Sequence, residues 1–319
     1  MANTNKNSSR ITPANYIALL ALALLALFTF FGWMYGSENG EAGLAIIMTI
    51  FEVVVLGALL VLAIKAKSAT SHFGMWRIVE WGSLALYVVV AILFVSPLLK
   101  YFYVMSEKDS LKNTAINEIA AVDSLYSNYQ HTMETATKQA VEQITNYVNS
   151  RSSSYTMETY IDSMAITRSD VASWGNQVRE TWQLKPDSTL SQMRRQVMSW
   201  GFFDMGIAQV GKRIESKSDE TIERLNKKVK SNIEARVVPI IRYDGSQYVT
   251  DSFVEPTFEV PSTGAFHKAL RDGSGTTVFG WVMFALLHLL ILLNYLVTQG
   301  RTIVGPNRKS NRSSNGIDL

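Results

Sequence analysis

The sequence predicts a mainly α-helical membrane protein, with four transmembrane helices and a large extracytoplasmic helical domain that carries a small β element. Three observations lead to this prediction. The chain contains four apolar runs, its basic residues cluster on one side of those runs, and a polar segment with helical periodicity separates the third run from the fourth. Of its 319 residues 47% are hydrophobic and only 18% are charged, whereas soluble domains are about a quarter charged.

Each apolar run is close to the roughly 20 residues that a helix needs to cross a bilayer. Polar residues interrupt two of them, Glu52 in the second run and His288 in the fourth. The alternative is four core helices of a soluble protein, but a soluble core rarely contains four such runs in one chain. We therefore expect transmembrane helices at residues 16–35, 44–64, 82–104 and 276–298.

Basic residues predict the orientation of these helices. Nine of them lie in the tails 1–15 and 299–319 and in the loop after the second span, whereas the short loop 36–43 has none. By the positive-inside rule both termini are cytoplasmic and residues 105–275 lie outside. That segment has no Asn-x-Ser/Thr sequon, which favours a periplasmic domain on a bacterial inner membrane over a glycosylated one.

The outer domain is expected to begin with a long helix. No Pro or Gly occurs between residues 108 and 150, and apolar residues recur there mostly three and four positions apart. If the third span continues into this helix, Pro97 marks a kink rather than a stop. The expected packing stripe consists of Leu111, Ala115, Ile119, Val122, Tyr126, Tyr129, Met133, Ala140, Ile144 and Tyr147.

Two further helices and a hairpin are expected in the rest of the domain. One helix begins near Ser169 and ends before Pro186, because the residue that precedes a proline disfavours helix. Another is expected from position 187 or 188 to about position 235. Asp244 and Gly245 lie between β-prone runs, which predicts a hairpin turn. Together these elements predict a coiled-coil-like antiparallel bundle with a small β element.

Sequence motifs for catalysis are lacking. The chain has no cysteine, its four histidines show no metal-ligand spacing, and it contains no phosphate loop, nucleophile elbow or dinucleotide fingerprint. Its net charge of +3 is too small to indicate a nucleic-acid partner. We therefore expect a protein that is not an enzyme and that binds neither a cofactor nor a metal ion.

Glu52 and His288 are the candidate functional residues within the spans. Both are expected at a depth of roughly 15 Å, near the middle of the bilayer, where an ionisable side chain indicates a function by default. One interpretation is a Glu52–His288 pair that relays protons or couples ion flow to movement outside. The other is packing, with a protonated Glu52 bonded to a neighbouring helix or with either residue at a subunit interface. Packing is favoured because two groups are few for a transport path.

A second candidate is the apolar stretch 197–211, VMSWGFFDMGIAQVG. Trp200, Phe202 and Phe203 in it are a possible partner surface, or the stretch lies on the membrane. The alternative is a core segment in which the glycines, five positions apart, permit close approach of helices. We favour the core segment, and the absence of basic residues in the stretch argues against a typical interfacial helix.

These features favour a structural subunit of a multiprotein envelope complex, of the secretion, export or motility type. Such a scaffold would anchor a periplasmic helical domain in the inner membrane, and its partners would be membrane lipid and other envelope-complex proteins. A homo- or hetero-oligomer is expected. The alternative is a transporter, an ion-coupled protein or a sensor subunit that uses Glu52 and His288.

Overall fold

A computed structural model of the chain describes most of its residues and divides it into two compact units. The first unit comprises Met1–Trp33, Ala42–Tyr103 and Gly275–Leu319, and the second comprises Met34–Glu41 and Val104–Ser274. The described residues are 13–37, 40–69, 73–150, 153–185, 187–234, 240–243, 248–251, 261–273 and 277–298.

Four helices are long and apolar enough to cross a membrane, which makes the chain a multi-pass membrane protein. Three of them, α1, α2 and α11, begin within a few residues of the predicted spans. The helices of this part of the chain are α1 (Pro13–Gly36), α2 (Ala42–Ser68), α3 (Phe73–Leu93), α4 (Val95–Ser106) and α11 (Val278–Val297).

The third span differs from the prediction at both ends. Its helix α3 begins at Phe73 rather than at residue 82, and a turn at Phe94 separates it from α4. Pro97 explains the break, because a proline cannot donate to the carbonyl four residues earlier, at Leu93, and its ring crowds that carbonyl. Pro97 itself is tolerated in the first turn of α4, where amides have no helical partner.

The backbones of α1 and α4 approach closely at the same proline. A Cβ atom added to Gly32 would overlap the carbonyl group of Pro97. Only glycine fits this position, since any side chain would overlap the backbone of α4. The Gly32–Pro97 contact therefore fixes where the two helices cross.

The second unit is mainly helical and is organised around α5, a helix of 43 residues and about 65 Å in length. Every residue of the predicted stripe on α5 is buried. Four later helices pack against α5, namely α7, α8, α9 and α10. The helices are α5 (Lys108–Ser150), α6 (Tyr155–Ser163), α7 (Val171–Trp182), α8 (Ser188–Met198), α9 (Gly206–Glu234) and α10 (Ala265–Asp272).

The prediction of one helix from position 187 or 188 to about 235 is wrong, because α8 ends at Met198 and α9 begins at Gly206. Trp200 turns into the core at the break, with only 4% of its surface exposed. The Asp204 carboxylate accepts a hydrogen bond of 2.8 Å from the Gly206 amide. This bond gives the first turn of α9 the acceptor that a helix start requires.

Two short strands lie between α9 and α10. Strand β1 (Ile240–Tyr243) pairs antiparallel with β2 (Tyr248–Asp251), and Tyr243 lies opposite Tyr248. The backbone of β1 lies alongside α5 and that of β2 alongside α6. The predicted turn at Asp244 and Gly245 lies outside the described residues.

Buried hydrogen bonds join α5, α7 and α9 within the second unit. The Tyr129 hydroxyl donates to the Trp182 carbonyl at 2.8 Å and accepts from the Asn232 amide group at 3.1 Å. The Trp182 indole donates to the Thr137 hydroxyl at 3.0 Å. Since an unpaired polar group in this interior would cost about 1–3 kcal/mol, these bonds specify the register of the three helices.

A largely buried ion pair joins the start of α8 to α9. The Lys217 ammonium lies 2.6 Å from the Asp187 carboxylate, with 12% and 11% of the two side chains exposed. Asp187 also accepts from the Thr189 amide at 2.8 Å and so caps α8. Burial alone would raise the pKa of Asp187, but the bonds from Lys217 and Thr189 outweigh it and lower the pKa to about 2.

We expect the substitution Asp187→Asn to reduce the free energy of unfolding at pH 7 by on the order of 2 kcal/mol, because asparagine keeps the cap but loses the charge. The folded pKa of Asp187 lies below its unfolded value, so its contribution is complete above pH 4 and is lost as the pH falls towards 2. The variant should therefore lose less stability on acidification than the native chain.

Unfolding of the full chain in detergent, followed by circular dichroism at pH 7 and at pH 3, measures both effects. Asp170→Asn is the matched control, since Asp170 caps α7 through the Ser173 amide at 3.0 Å and forms no ion pair among the described residues. Equal losses in the two variants would show that the ion pair contributes nothing beyond the cap.

Candidate functional site

Glu52 is buried between helices of the first unit. It lies on α2, ten residues after the start of the helix at Ala42, and therefore about 15 Å along the helix. Only 1% of its surface is exposed. Its carboxyl group lies beside the Thr29 hydroxyl of α1, while the Oε2 atom has no partner among the described residues.

The hydrogen bond that the Thr29 hydroxyl donates determines whether a neutral or a charged Glu52 fits this site. The Thr29 hydroxyl lies 2.9 Å from the carbonyl oxygen of Leu25, one turn earlier on α1, and donates its only hydrogen there. A neutral Glu52 carboxyl can donate its own hydrogen to the Thr29 oxygen, whereas a carboxylate would find no donor in it. A neutral Glu52 is therefore compatible with its neighbour Thr29 and needs no counterion.

His288 pairs with a tyrosine of a different helix. It lies on α11 with 8% of its surface exposed, and its Nδ1 atom is 2.8 Å from the Tyr87 hydroxyl of α3. The phenol donates to Nδ1 when the ring is neutral and carries its hydrogen on Nε2. The ring of Phe284 packs on the imidazole with a centroid distance of 4.5 Å.

The expected ion pair between Glu52 and His288 is not formed among the described residues. Tyr87 occupies the position beside His288 instead, and Glu52 interacts electrostatically with Tyr87. The three side chains belong to one cluster, in which Tyr87 is the common neighbour. Sequence reasoning missed Tyr87 because tyrosine is common in spans. The signal was available, since a phenol buried in an apolar run has to find a hydrogen-bond partner.

A second polar cluster joins α2, α3 and α11, close to the C-terminal ends of α2 and α11. The Tyr295 hydroxyl of α11 donates to the Glu80 carboxylate of α3 at 2.7 Å. The Lys67 ammonium of α2 donates to the Tyr295 carbonyl at 2.6 Å and lies 4.4 Å from the centroid of the Tyr295 ring. These contacts join α2, α3 and α11 at one level along the spans.

The structure separates the three predicted surface residues of the second unit. Trp200 is buried, and its ring lies 5.6 Å from that of Phe266 on α10. It therefore belongs to the core and cannot form part of a partner surface. Phe202 and Phe203 are exposed, by 69% and 50%. Gly211 permits the close approach of α10, since a Cβ atom there would lie 3.1 Å from the His267 side chain.

Glu118 is a buried carboxyl group that the sequence did not single out. It lies on α5 with 5% of its surface exposed and accepts a 2.9 Å hydrogen bond from the Phe266 amide in the first turn of α10. Burial raises the pKa of Glu118, although amides of the α10 start oppose the rise. Nearby, the His267 ring lies 3.5 Å from the Glu215 carboxylate. This cluster holds α10 against α5 and α9.

No catalytic constellation stands out in the described part of the chain. A groove of about 420 Å³ runs between α8 and α9, and Lys217 is one of the residues that line it. The Lys217 ammonium forms ion pairs with Asp187 and Glu220. In the described ranges no three His, Cys, Asp or Glu side chains come together in a way that would hold a metal ion.

The contact between Tyr87 and His288 is testable by a double-mutant cycle. We expect Tyr87→Phe and His288→Phe to be coupled by on the order of 1 kcal/mol in unfolding free energy, because each alone leaves a polar atom unpaired within the span. Coupling between Glu52→Gln and His288→Phe should be smaller, since they form no direct bond. Thermal unfolding in detergent micelles measures these differences.

The matched control for Tyr87→Phe is Tyr16→Phe, since Tyr16 on α1 is 61% exposed and the substitution removes the same atom. Tyr16→Phe should leave the unfolding midpoint unchanged. Zero coupling between Tyr87 and His288, together with strong coupling between Glu52 and His288, would contradict the arrangement described above.

Comparisons with protein-family models, with curated proteins and with solved structures find no match to this chain. The function has to be inferred from the chain's own residues. Their chemistry consists of paired polar groups within the spans and a well-packed helical unit.

Proposed function

We propose that the chain is a non-enzymatic structural subunit of a multiprotein envelope complex, of the secretion, export or motility type. It anchors a periplasmic helical domain in a bacterial inner membrane. The observation that carries this proposal is that a helix as long as α5 follows the third span so closely in the sequence. Only Glu107 separates this 43-residue helix from α4, which follows the third span. A long helix with a buried apolar stripe is suited to organise a domain that presents a binding surface to partners.

The orientation rests on the charge distribution. Nine basic residues lie in the two tails and in the loop after the second span, and none lies in the short loop 36–43. The positive-inside rule then assigns both termini to the cytoplasm and residues 105–275 to the periplasm.

The polar groups of the spans support a structural role. The Glu52 carboxyl of α2 lies beside the Thr29 hydroxyl of α1. Tyr87 is bonded to His288 and Tyr295 to Glu80, so that each pair joins α3 to α11. Buried hydrogen bonds of this kind hold membrane helices together. The partners of such a scaffold are membrane lipid and other envelope-complex proteins, in a homo- or hetero-oligomer. Its role requires no cofactor and no nucleic acid.

One observation favours a second candidate, a transporter, an ion-coupled protein or a sensor subunit. The Oε2 atom of Glu52 is buried without a partner among the described residues. Glu52 interacts electrostatically with Tyr87, which is bonded to His288. A carboxyl, a phenol and an imidazole are groups that can pass a proton between them. In this alternative Glu52 exchanges its proton during each cycle.

The topology is testable because the chain has no cysteine, so that each introduced thiol is unique. In spheroplasts an impermeant maleimide should label Asn128→Cys, which is exposed on α5. It should not label Ser68→Cys, exposed at the end of α2, or Asn311→Cys until the cells are lysed. Labelling of Ser68→Cys together with protection of Asn128→Cys would show that the orientation is the opposite of the one proposed.

The two candidate functions predict different outcomes for Glu52. If the chain is a scaffold, Glu52→Gln should preserve the complex, because glutamine can still donate to Thr29, whereas the apolar Glu52→Leu should weaken it. Affinity purification of the tagged chain after crosslinking in cells, with native mass measurement, tests this. Thr29→Val is the matched control, since it removes the hydroxyl that lies beside the Glu52 carboxyl and should resemble Glu52→Leu.

A proton-uptake assay tests the ion-coupled alternative. Proteoliposomes that contain the chain and an internal pH-sensitive dye should show no uptake that depends on Glu52. Uptake that is present with the native chain and lost in Glu52→Gln, with the complex unchanged in size, would overturn the scaffold proposal in favour of the ion-coupled one.

A further inference from the structure

The segment between α8 and α9 exposes an apolar patch. Met198, Phe202, Phe203 and Met205 are exposed by 56%, 69%, 50% and 50%, and we call residues 198–205 the 198–205 loop. The loop is held in place from within, because Trp200 is buried beside Phe266 and Asp204 caps α9. Four large apolar side chains on a fixed loop indicate a surface that another apolar phase covers.

The loop is attached to the end of the first span. The Tyr35 hydroxyl donates to the Asp204 carbonyl at 3.3 Å, and Tyr35 is the second-last residue of α1. Gly40, just beyond that end, approaches Ala208 of α9 so closely that an added Cβ atom would lie 2.8 Å from the Ala208 side chain. Tyrosines at span ends lie at the level of the lipid headgroups. The loop therefore lies within side-chain reach of that level.

A second attachment joins the loop to the start of α5. The Lys108 ammonium lies 5.4 Å from the centroid of the Phe202 ring, and the Lys112 ammonium donates to the Met198 carbonyl at 2.7 Å. Lys108 is the first residue of α5, one helical turn beyond residue 104, where the sequence predicts the end of the third span. Two separate points of the chain near span ends thus converge on the same loop.

We infer that the 198–205 loop docks on the lipid bilayer that holds the spans, with Phe202, Phe203 and Met205 inserted into its interfacial layer. Lys108 and Lys112 stand beside these apolar side chains, at the height where anionic phosphate groups lie. Lysines that flank apolar residues in this way extend their ammonium groups to the headgroups while their carbon stems remain in the apolar region.

Lipid is favoured over a protein partner because of where the patch lies. A protein surface would have to reach the patch at the membrane boundary, whereas lipid is already present there. The basic residues that the stretch 197–211 lacks are supplied by α5, which the sequence pattern alone does not reveal. The inference concerns this contact only, so its failure would leave the proposed scaffold function untouched.

Site-specific fluorescence tests this inference in the full chain. Phe202→Cys and Phe203→Cys, each labelled with the polarity-sensitive dye NBD, are placed in nanodiscs of phosphatidylethanolamine and phosphatidylglycerol. Both labels should emit at shorter wavelength than a label in water and should be quenched by lipids that carry a nitroxide near the top of the acyl chain. They should also resist quenching by aqueous iodide. Ser191→Cys, exposed on α8 of the same unit, is the control and should respond only to iodide.

Two results would overturn the inference. Labels at Phe202 and Phe203 that are quenched by iodide and not by the nitroxide lipid would show that the loop lies in water. Labels shielded from both reagents would show that protein, such as a second copy of the chain, covers the patch. Since both phenylalanines are exposed, the substitutions should not affect folding, and an unchanged thermal unfolding midpoint verifies this.

The lysines have a separate test. The double substitution Lys108→Gln and Lys112→Gln should lower nitroxide quenching at Phe202→Cys several-fold in discs that contain phosphatidylglycerol, and should leave it unchanged in discs of phosphatidylcholine alone. An equal fall in both lipids would mean that the lysines only hold the shape of the loop, and would overturn their assignment to the headgroups.

Discussion

The arrangement of the first unit depends on the absence of water within a bilayer. A polar side chain in the hydrocarbon region has to be satisfied by a neighbouring helix, because no solvent is available to it. The Tyr87–His288 and Tyr295–Glu80 bonds meet this requirement between α3 and α11 at two levels. Apolar side chains can pack in many registers, but these bonds can form in only one. They therefore determine which faces of the helices meet.

The second unit is held together by an apolar core and by buried hydrogen bonds. The stripe on α5 provides the burial that drives its helices together, while the Tyr129–Trp182–Thr137 contacts specify one register. The chain has no cysteine, so the fold is maintained without covalent crosslinks. The helix predicted from position 187 or 188 to about 235 is broken where Trp200 enters the core. The break creates the exposed 198–205 loop.

The proposed scaffold and the proposed lipid contact address different parts of the same problem. A subunit that bears load or positions partners has to resist tilting where its long helix leaves the membrane. Under the proposed lipid contact, the loop that Tyr35 and Lys112 hold in place adds a point of attachment that the spans alone do not provide. The buried pairs within the spans serve rigidity in the same way, since each joins two helices.

The sequence by itself determined the number of spans, the long helix and its buried stripe, because apolar length and periodicity are local properties. It did not determine the bounds of the third span, where Pro97 breaks the helix. It also identified Glu52 and His288 as buried polar residues, since their depth follows from counting along a helix. It did not identify their partners. Thr29 and Tyr87 lie on other helices, and the contact of each depends on how those helices rotate and cross. Likewise only the tertiary structure decided that Trp200 is buried while Phe202 is exposed. Both are apolar, and which one the core accepts depends on the space beside Phe266 rather than on hydrophobicity.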